Sequence, residues 1–390
     1  MTVRETLADL DALVLAAGIW FLAKFLRYAF PPLFPAFSTE YGVSNAALGV
    51  AFTAMMLVYA LLQFPSGALA DRLGRVPVIA AGAVVAAAGA LALSVDVPYL
   101  VLVAAMVLVG AGTGVHKTVA VGLLSATYPS RTGRSLGVLD TFGAFGGVVA
   151  PAAVVLLADA AGWHAVFLPA GLLGLALAGL FVARVDDPDR DEQTTSGGTP
   201  ARAYLGLFRD ARFSAFVLVT VGFSFAYNGV VAFLPLYLTD AAGVSDGVAN
   251  ALYAGLFVVS LVQPVTGELA DRFSRIRVVA GTLALASVGL GALLVAGASP
   301  LVLTLGVVAF GLGSHGFRPV RGAYLVDLVP ESMAGGGLGV VRTILMGAGA
   351  LAPAVVGVVS EGVSYVAAFS LLLLSLAAAA VVALWLARSD

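Results

Sequence analysis

Charged side chains occur where this chain is otherwise apolar. Lys24, Arg27 and Tyr28 lie within FLAKFLRYAFPPLFP, His116 and Lys117 within GTGVHKTVAVG, and His315, Arg318 and Arg321 within GSHGFRPVRG. Placing a charge in hydrocarbon costs about 2.5 kcal/mol or more, so such residues default to function. Spacings of three and four put Lys24, Arg27 and Tyr28 on one helical face. A guanidinium is planar, always charged and shaped to take a carboxylate or phosphate through two parallel hydrogen bonds. The chemistry these residues can do is therefore anion capture. Asp140, Glu268 and Asp327 are expected nearer the helix ends, leaving the cations without a carboxylate at their own depth. Tyr227 and Asn228, in SFAYNGVV, add polar groups at mid-helix. His116 and His315 are the groups able to titrate near neutral pH. Lys24 and Lys117 are the only lysines of the chain.

The rest of the sequence excludes several other chemistries. Cysteine is absent, which removes thiol catalysis and thiolate-held metals. The three histidines show no HxxxH-like metal spacing, and no metal or other cofactor is expected. The formal net charge of −2 gives no basic surface for nucleic acid. No GxxxxGK[ST] motif points to ATP, and no nucleophile, base and orienting group are gathered as an enzyme would need.

The elements that carry these residues must be membrane helices. Of 390 residues, 61% are hydrophobic and 11% charged, less than half the charge of a soluble domain. The apolar runs are long and continuous, unlike the roughly 10-residue alternating strands of a membrane barrel. Polar breaks divide the chain into twelve spans, near 12–37, 45–69, 77–95, 99–127, 136–158, 164–184, 213–238, 247–269, 278–296, 300–329, 338–359 and 365–387. Pro31, Pro32 and Pro35 are expected to break or bend the first. The N-terminal segment has no cleavable-signal pattern and leads directly into that span. With both termini cytoplasmic, 14 of the 20 Lys and Arg residues fall in cytoplasmic segments, none in external loops and six inside spans. The expected organisation is a six-helix bundle over 1–184, a cytoplasmic linker over 185–212 with a candidate amphipathic surface helix, and a second six-helix bundle over 213–390.

The halves repeat. QFPSGALADRLGRVPVIA at 63–80 and QPVTGELADRFSRIRVVA at 263–280 share nine of 18 positions, and GVS occurs at 42–44 and 243–245. An offset of 201 places Lys117 opposite Arg318. Two similar bundles around a central site are the plan of an alternating-access transporter.

The segment Gly67–Arg75 resembles the loop 2–3 signature of the major facilitator superfamily, and Gly267–Arg275 resembles its second copy, with Ser274 in place of a glycine. The resemblance implies an all-α integral membrane fold, two pseudo-symmetric six-helix bundles around a cavity lined by the first and fourth helices of each. It also implies a cytoplasmic latch. Gly67 is expected to allow close helix approach, and Gly67, Asp71, Arg72, Arg75, Gly267, Asp271, Arg272 and Arg275 are the residues of the gate motif. The facing helices carry Asp140 and Arg342 at equivalent places. The expected pairs are Asp71 with Arg342, and Asp140 with Arg272 or Arg275. An arginine followed closely by proline in the first span also resembles the organic-anion and phosphate-ester branches of the superfamily, although Arg27 aligns with Asn228 rather than a second arginine.

These features predict a multi-pass cell-membrane transporter that moves a small organic or inorganic anion by alternating access, working as a monomer with a coupling ion or exchange partner. The expected substrate-binding residues are Lys24, Arg27, Tyr28, His116, Lys117, Tyr227, Asn228, His315, Arg318 and Arg321. The alternative is a proton-coupled drug or metabolite efflux antiporter. That activity favours an aromatic cavity with a central carboxylate and a fifth-span Gly-Pro signature, which GAFGGVVAP fits poorly. A transporter-like membrane sensor is a third reading, and robust substrate flux excludes it.

Overall fold

The computed structural model describes residues 3–187, 206–330 and 334–388, and the regular elements among them are helical. In chain order the α-helices are α1 (Val3–Tyr41), α2 (Asn45–Leu73), α3 (Arg75–Ala92), α4 (Tyr99–Gly114), α5 (His116–Thr127), α6 (Thr132–Ala161) and α7 (His164–Arg184). They continue as α8 (Ala211–Leu236), α9 (Asp246–Val258), α10 (Gln263–Arg272), α11 (Arg275–Val295), α12 (Pro300–Leu328), α13 (Ala334–Gly362) and α14 (Tyr365–Arg388). Twelve stretches are long and apolar enough to span a bilayer. The fourth is α4 and α5 together, and the eighth is α9 and α10 joined by a 3₁₀ turn at Val259–Val262. These are the twelve spans expected from hydropathy, with ends shifted by a few residues.

Most of the expected surface helix near 201–213 lies outside the described residues. Leu207–Arg209 forms a 3₁₀ turn, and Asp210 caps α8 by accepting a hydrogen bond from the Phe213 amide at 2.9 Å.

The chain separates into two compact units. One comprises residues 1–43 and 51–192, the other 44–50 and 193–390. Within the first, α1 packs on α6 and α7, and α3 on α4 and α7. Within the second, α8 packs on α13 and α14, and α11 on α12 and α14. The two sets correspond helix for helix, so the sequence repeat is a repeat of packing.

Individual glycines show why. A Cβ on Gly112 would lie 2.3 Å from the Gly82 carbonyl oxygen and 2.4 Å from the Ala86 nitrogen. A Cβ on Gly313 would lie 2.4 Å from both the Thr282 carbonyl oxygen and the Ala286 nitrogen. Each fourth span thus meets a third span backbone to backbone, the contact that small residues permit in membranes. The glycines of the two GVS copies, Gly42 and Gly243, have φ of 61° and 71°. In the loop 2–3 signature, Gly74 has φ of 101°, whereas Ser274 takes −56°. The glycine-to-serine difference is therefore a difference of turn conformation.

Two expectations are corrected here. Of the break or bend expected at Pro31, Pro32 and Pro35, the break does not occur: α1 runs without interruption from Val3 to Tyr41. Proline removes an amide donor but fixes a φ close to the helical value, and packing on α6 and α7 retains the helix. Nor does Gly67 provide a close approach. A Cβ there would meet only Thr118 Cγ2 at 3.9 Å, and one on Gly267 would meet nothing within 4 Å among the described residues. Gly67→Ala and Gly267→Ala are accordingly expected to leave expression and melting temperature unchanged or slightly higher, because alanine favours helix by about 1 kcal/mol. Loss of folded protein in size-exclusion profiles would contradict this.

Candidate functional site

In the first unit the cations gather around an indole. Trp20, on α1, is buried at 4% exposure. Lys24 Nζ lies 5.2 Å from its ring centroid, Arg27 Cζ 5.5 Å and Lys117 Nζ 5.5 Å. The His116 ring stacks on it at 5.8 Å with an interplanar angle of 16°. Ring faces attract cations, by about 2 kcal/mol when the pair is desolvated. One indole thus brings together charges that would otherwise repel.

Arg27 is the most enclosed of the three, at 4% exposure. Its guanidinium lies 3.9 Å from the Tyr59 ring centroid, and Nε donates to the Ala23 carbonyl at 3.2 Å. Its Nη2 is buried and makes no hydrogen bond. Lys24 Nζ donates to the Tyr28 hydroxyl at 3.1 Å and sits 5.0 Å from that ring. His116 lies at the start of α5, just after the local break at Val115. Its Nε2 is 3.0 Å from the Ala16 carbonyl, a contact that requires the Nε2–H tautomer, and its Nδ1 is buried without a hydrogen bond.

Helix α6 can approach because its facing residues are glycine. A Cβ on Gly143 would fall 2.3 Å from Trp20 Nε1, and one on Gly146 would fall 2.3 Å from the Phe21 carbonyl and 3.0 Å from Lys24 Cβ. The same helix carries Asp140, which forms an ion pair with Lys117. This corrects the expectation that no carboxylate reaches the cations. It also gives Asp140 a partner inside its own unit.

In the second unit, Arg318 Cζ lies 4.3 Å from the Tyr227 ring centroid and Arg321 Cζ 5.8 Å from that of Phe317. The Nε of Arg321 is buried without a hydrogen bond. His315 is 2% exposed and meets the Tyr227 and Phe257 rings edge-on, at 5.9 and 6.3 Å. Tyr227, His315, Arg318 and Arg321 therefore form one group. Asn228 instead donates to the Ser224 carbonyl of its own helix at 2.8 Å, while the Ser224 hydroxyl donates to the Leu345 carbonyl at 2.6 Å. The Ser224 bond joins α8 to α13, while the Asn228 bond stays within α8.

The signature residues also find partners within their units. Arg272 pairs with Glu268 one turn earlier, and Arg275 pairs with Asp327. These replace Asp140 as the partners expected for Arg272 and Arg275. In the first unit the position equivalent to Asp327 is Ala126, and Arg75 instead lies against Gly122. Asp71, Arg72, Asp271 and Arg342 are exposed.

Trp20 and Tyr59 are site residues that spacing alone did not select. Trp20 carried a usable signal, since it precedes Lys24 by four residues and Arg27 by seven on the same face. Tyr59 reaches the site only through the packing of α2.

A family model described as the Major Facilitator Superfamily matches residues 16–262 and 252–390. The chain belongs to this superfamily. It is a multi-pass membrane transporter rather than an enzyme. It is 26% identical over 273 residues to the probable sulfoacetate transporter SauU of Cupriavidus necator, covering 65% of this chain and 63% of that protein. It is 32% identical over 162 residues to the 4-hydroxybenzoate transporter PcaK of Pseudomonas aeruginosa, covering 40% of this chain and 35% of that protein. It is 27% identical over 347 residues to the multidrug resistance protein MdtH of Klebsiella pneumoniae, covering 83% and 79%. Among solved structures, an inward-facing, occupied bacterial homologue of the human lysosomal transporter Spinster superposes with a TM-score of 0.79 at 17% identity, covering 97% of this chain and 96% of that one. The match over nearly the whole chain is a match of fold.

Proposed function

We propose that this protein is a secondary transporter of a small organic anion by alternating access, with the cations around Trp20 as the anion-binding group of the first unit and Arg318 and Arg321 as cationic groups of the second. Arg27 carries the proposal. A guanidinium at 4% exposure, with a buried Nη2 that no protein acceptor takes, has the donor and the charge to hold an anion. Lys24 adds a second cation, and the Trp20, Tyr28 and Tyr59 rings supply surface for the organic part. The names of SauU and PcaK, transporters of a sulfonated acid and an aromatic acid, support this substrate class.

Asp140 acts as an internal anion in this account. It occupies Lys117 when substrate is absent, and a substrate carboxylate or sulfonate competes with it. Asp140→Asn is expected to tighten anion binding roughly fivefold, because a partly exposed pair is worth about 1 kcal/mol. Isothermal titration checks this, and unchanged or weaker binding would contradict it.

Asp71, Arg72, Arg75, Asp271, Arg272, Arg275 and Arg342 are assigned to the switch between states, on the resemblance of both loops to the superfamily signature. Asp71→Asn should lower uptake without reducing the amount of inserted protein.

The direct test is uptake into proteoliposomes of labelled small carboxylates and sulfonates, beside a lipophilic cation. Saturable uptake of the anions supports the proposal. Movement of the cation alone would transfer the assignment to drug efflux, the alternative that the multidrug-resistance name of MdtH favours.

A further inference from the structure

We propose that Glu40, Asp96 and His164 form a binding site for a divalent transition-metal cation of the Zn2+ class at the end of the first unit remote from Asp71. The three residues come from the last turn of α1, the α3–α4 connection and the first residue of α7. One ligand atom from each lies within 4.8 Å of the others. Their separation in sequence explains why no histidine spacing revealed them.

Three observations point to a bound cation. First, His164 Nε2 is buried and makes no hydrogen bond, yet it faces Asp96 Oδ1 at 3.2 Å. A metal cation taking the place of the proton between these two groups would meet both as ligands. Second, the outer partners that orient ligands are in place. The Trp163 indole donates to Glu40 Oε2 at 2.5 Å, and the Trp163 ring stacks on the His164 ring at 3.6 Å. Both residues follow Gly162, whose φ of 78° turns the chain into α7. Such partners hold ligands in register and are worth 10- to 100-fold in metal affinity. Third, residues 28–71, 76–116 and 135–183 contain no Lys or Arg. Two carboxylates therefore approach each other at an end of the unit where no cationic side chain belongs to the same segments.

One imidazole nitrogen and two carboxylate oxygens, with water completing the coordination, suit Zn2+ and its neighbours better than Ca2+, which takes six to eight oxygens. A bound ion would join the ends of α1 and α7 to the α3–α4 connection. Helix α1 also carries Trp20, Lys24 and Arg27, so the ion would stiffen the helix that builds the anion site.

The experiment uses full-length, tag-free protein stripped with chelator, in a Trp20→Phe/Trp385→Phe background where Trp163 is the only fluorophore of its kind. Zn2+ is titrated while Trp163 emission and melting temperature are read, with Mg2+ as comparison. A saturable Zn2+ response is expected, weakened at least tenfold by His164→Gln and by Asp96→Asn. Asp96 is 98% exposed, so its substitution leaves folding intact. No Zn2+ response, an equal response to Mg2+, or an undiminished response in both variants would overturn the site. These readouts are independent of transport and stand apart from the anion proposal.

Discussion

Arg27→Met is expected to abolish anion binding and uptake while leaving the ligand-free protein at least as stable as wild type. The sign follows from the magnitudes. The guanidinium is 4% exposed and no carboxylate pairs with it among the described residues. Burying an ion costs several kcal/mol after relaxation. Against this stand a cation–π contact with Tyr59 at 3.9 Å, worth about 2 kcal/mol, a longer one with Trp20 at 5.5 Å, worth about 0.5 kcal/mol, and one hydrogen bond to the Ala23 carbonyl, worth about 1 kcal/mol. Methionine fills a similar volume, adapts to irregular space and needs no counter-charge. The melting temperature of the ligand-free variant should therefore hold or rise, and its response to anions should disappear. A sharp fall in stability would make Arg27 a structural residue. Retained anion binding would remove it from the site.

Gly112→Leu and Gly313→Leu are expected to eliminate folded protein altogether. At both positions the new Cβ would lie 2.3–2.4 Å from backbone atoms of the neighbouring helix. Backbone cannot yield as a flexible side chain does, so the third and fourth spans of the unit must separate. Overpacking costs 1–3 kcal/mol even where side chains can move, and loss of a whole helix contact exceeds that. Gly281→Ala is the matched control, since nothing lies within 4 Å of its Cβ position. Monodisperse protein in detergent is expected for Gly281→Ala and aggregate for both leucine variants. A monodisperse Gly112→Leu would show that the third and fourth spans of the first unit can separate without loss of the bundle.

Hydropathy located all twelve spans because a bilayer imposes a length on every crossing. The repeat was legible because the same close contacts recur in both halves, as Gly112 with Gly82 and Gly313 with Thr282 show. The site was legible only in part. Lys24, Arg27 and Tyr28 share a face of one helix, and their proximity follows from spacing alone. The Lys117–Asp140 pair was not visible, because the two residues lie on different helices and the depth of each was read from its distance to a polar loop. A long ammonium stem readily crosses the difference. Arg272 and Arg275 likewise pair with acids inside their own unit, Glu268 and Asp327, a choice made by local packing. The close approach ascribed to Gly67 failed for a related reason. A glycine within a motif does not itself reveal what stands opposite.

The central claim is that the cations around Trp20 receive an anion. Thermal stability of the purified protein, measured against a panel of small carboxylates, sulfonates and lipophilic cations with Arg27→Gln alongside, tests it most directly. A ligand at 100 times its Kd adds about 2.7 kcal/mol of stability. Stabilisation of wild type by one or more anions, absent in Arg27→Gln, is the expected result. Stabilisation by lipophilic cations alone, equal in both proteins, would contradict it.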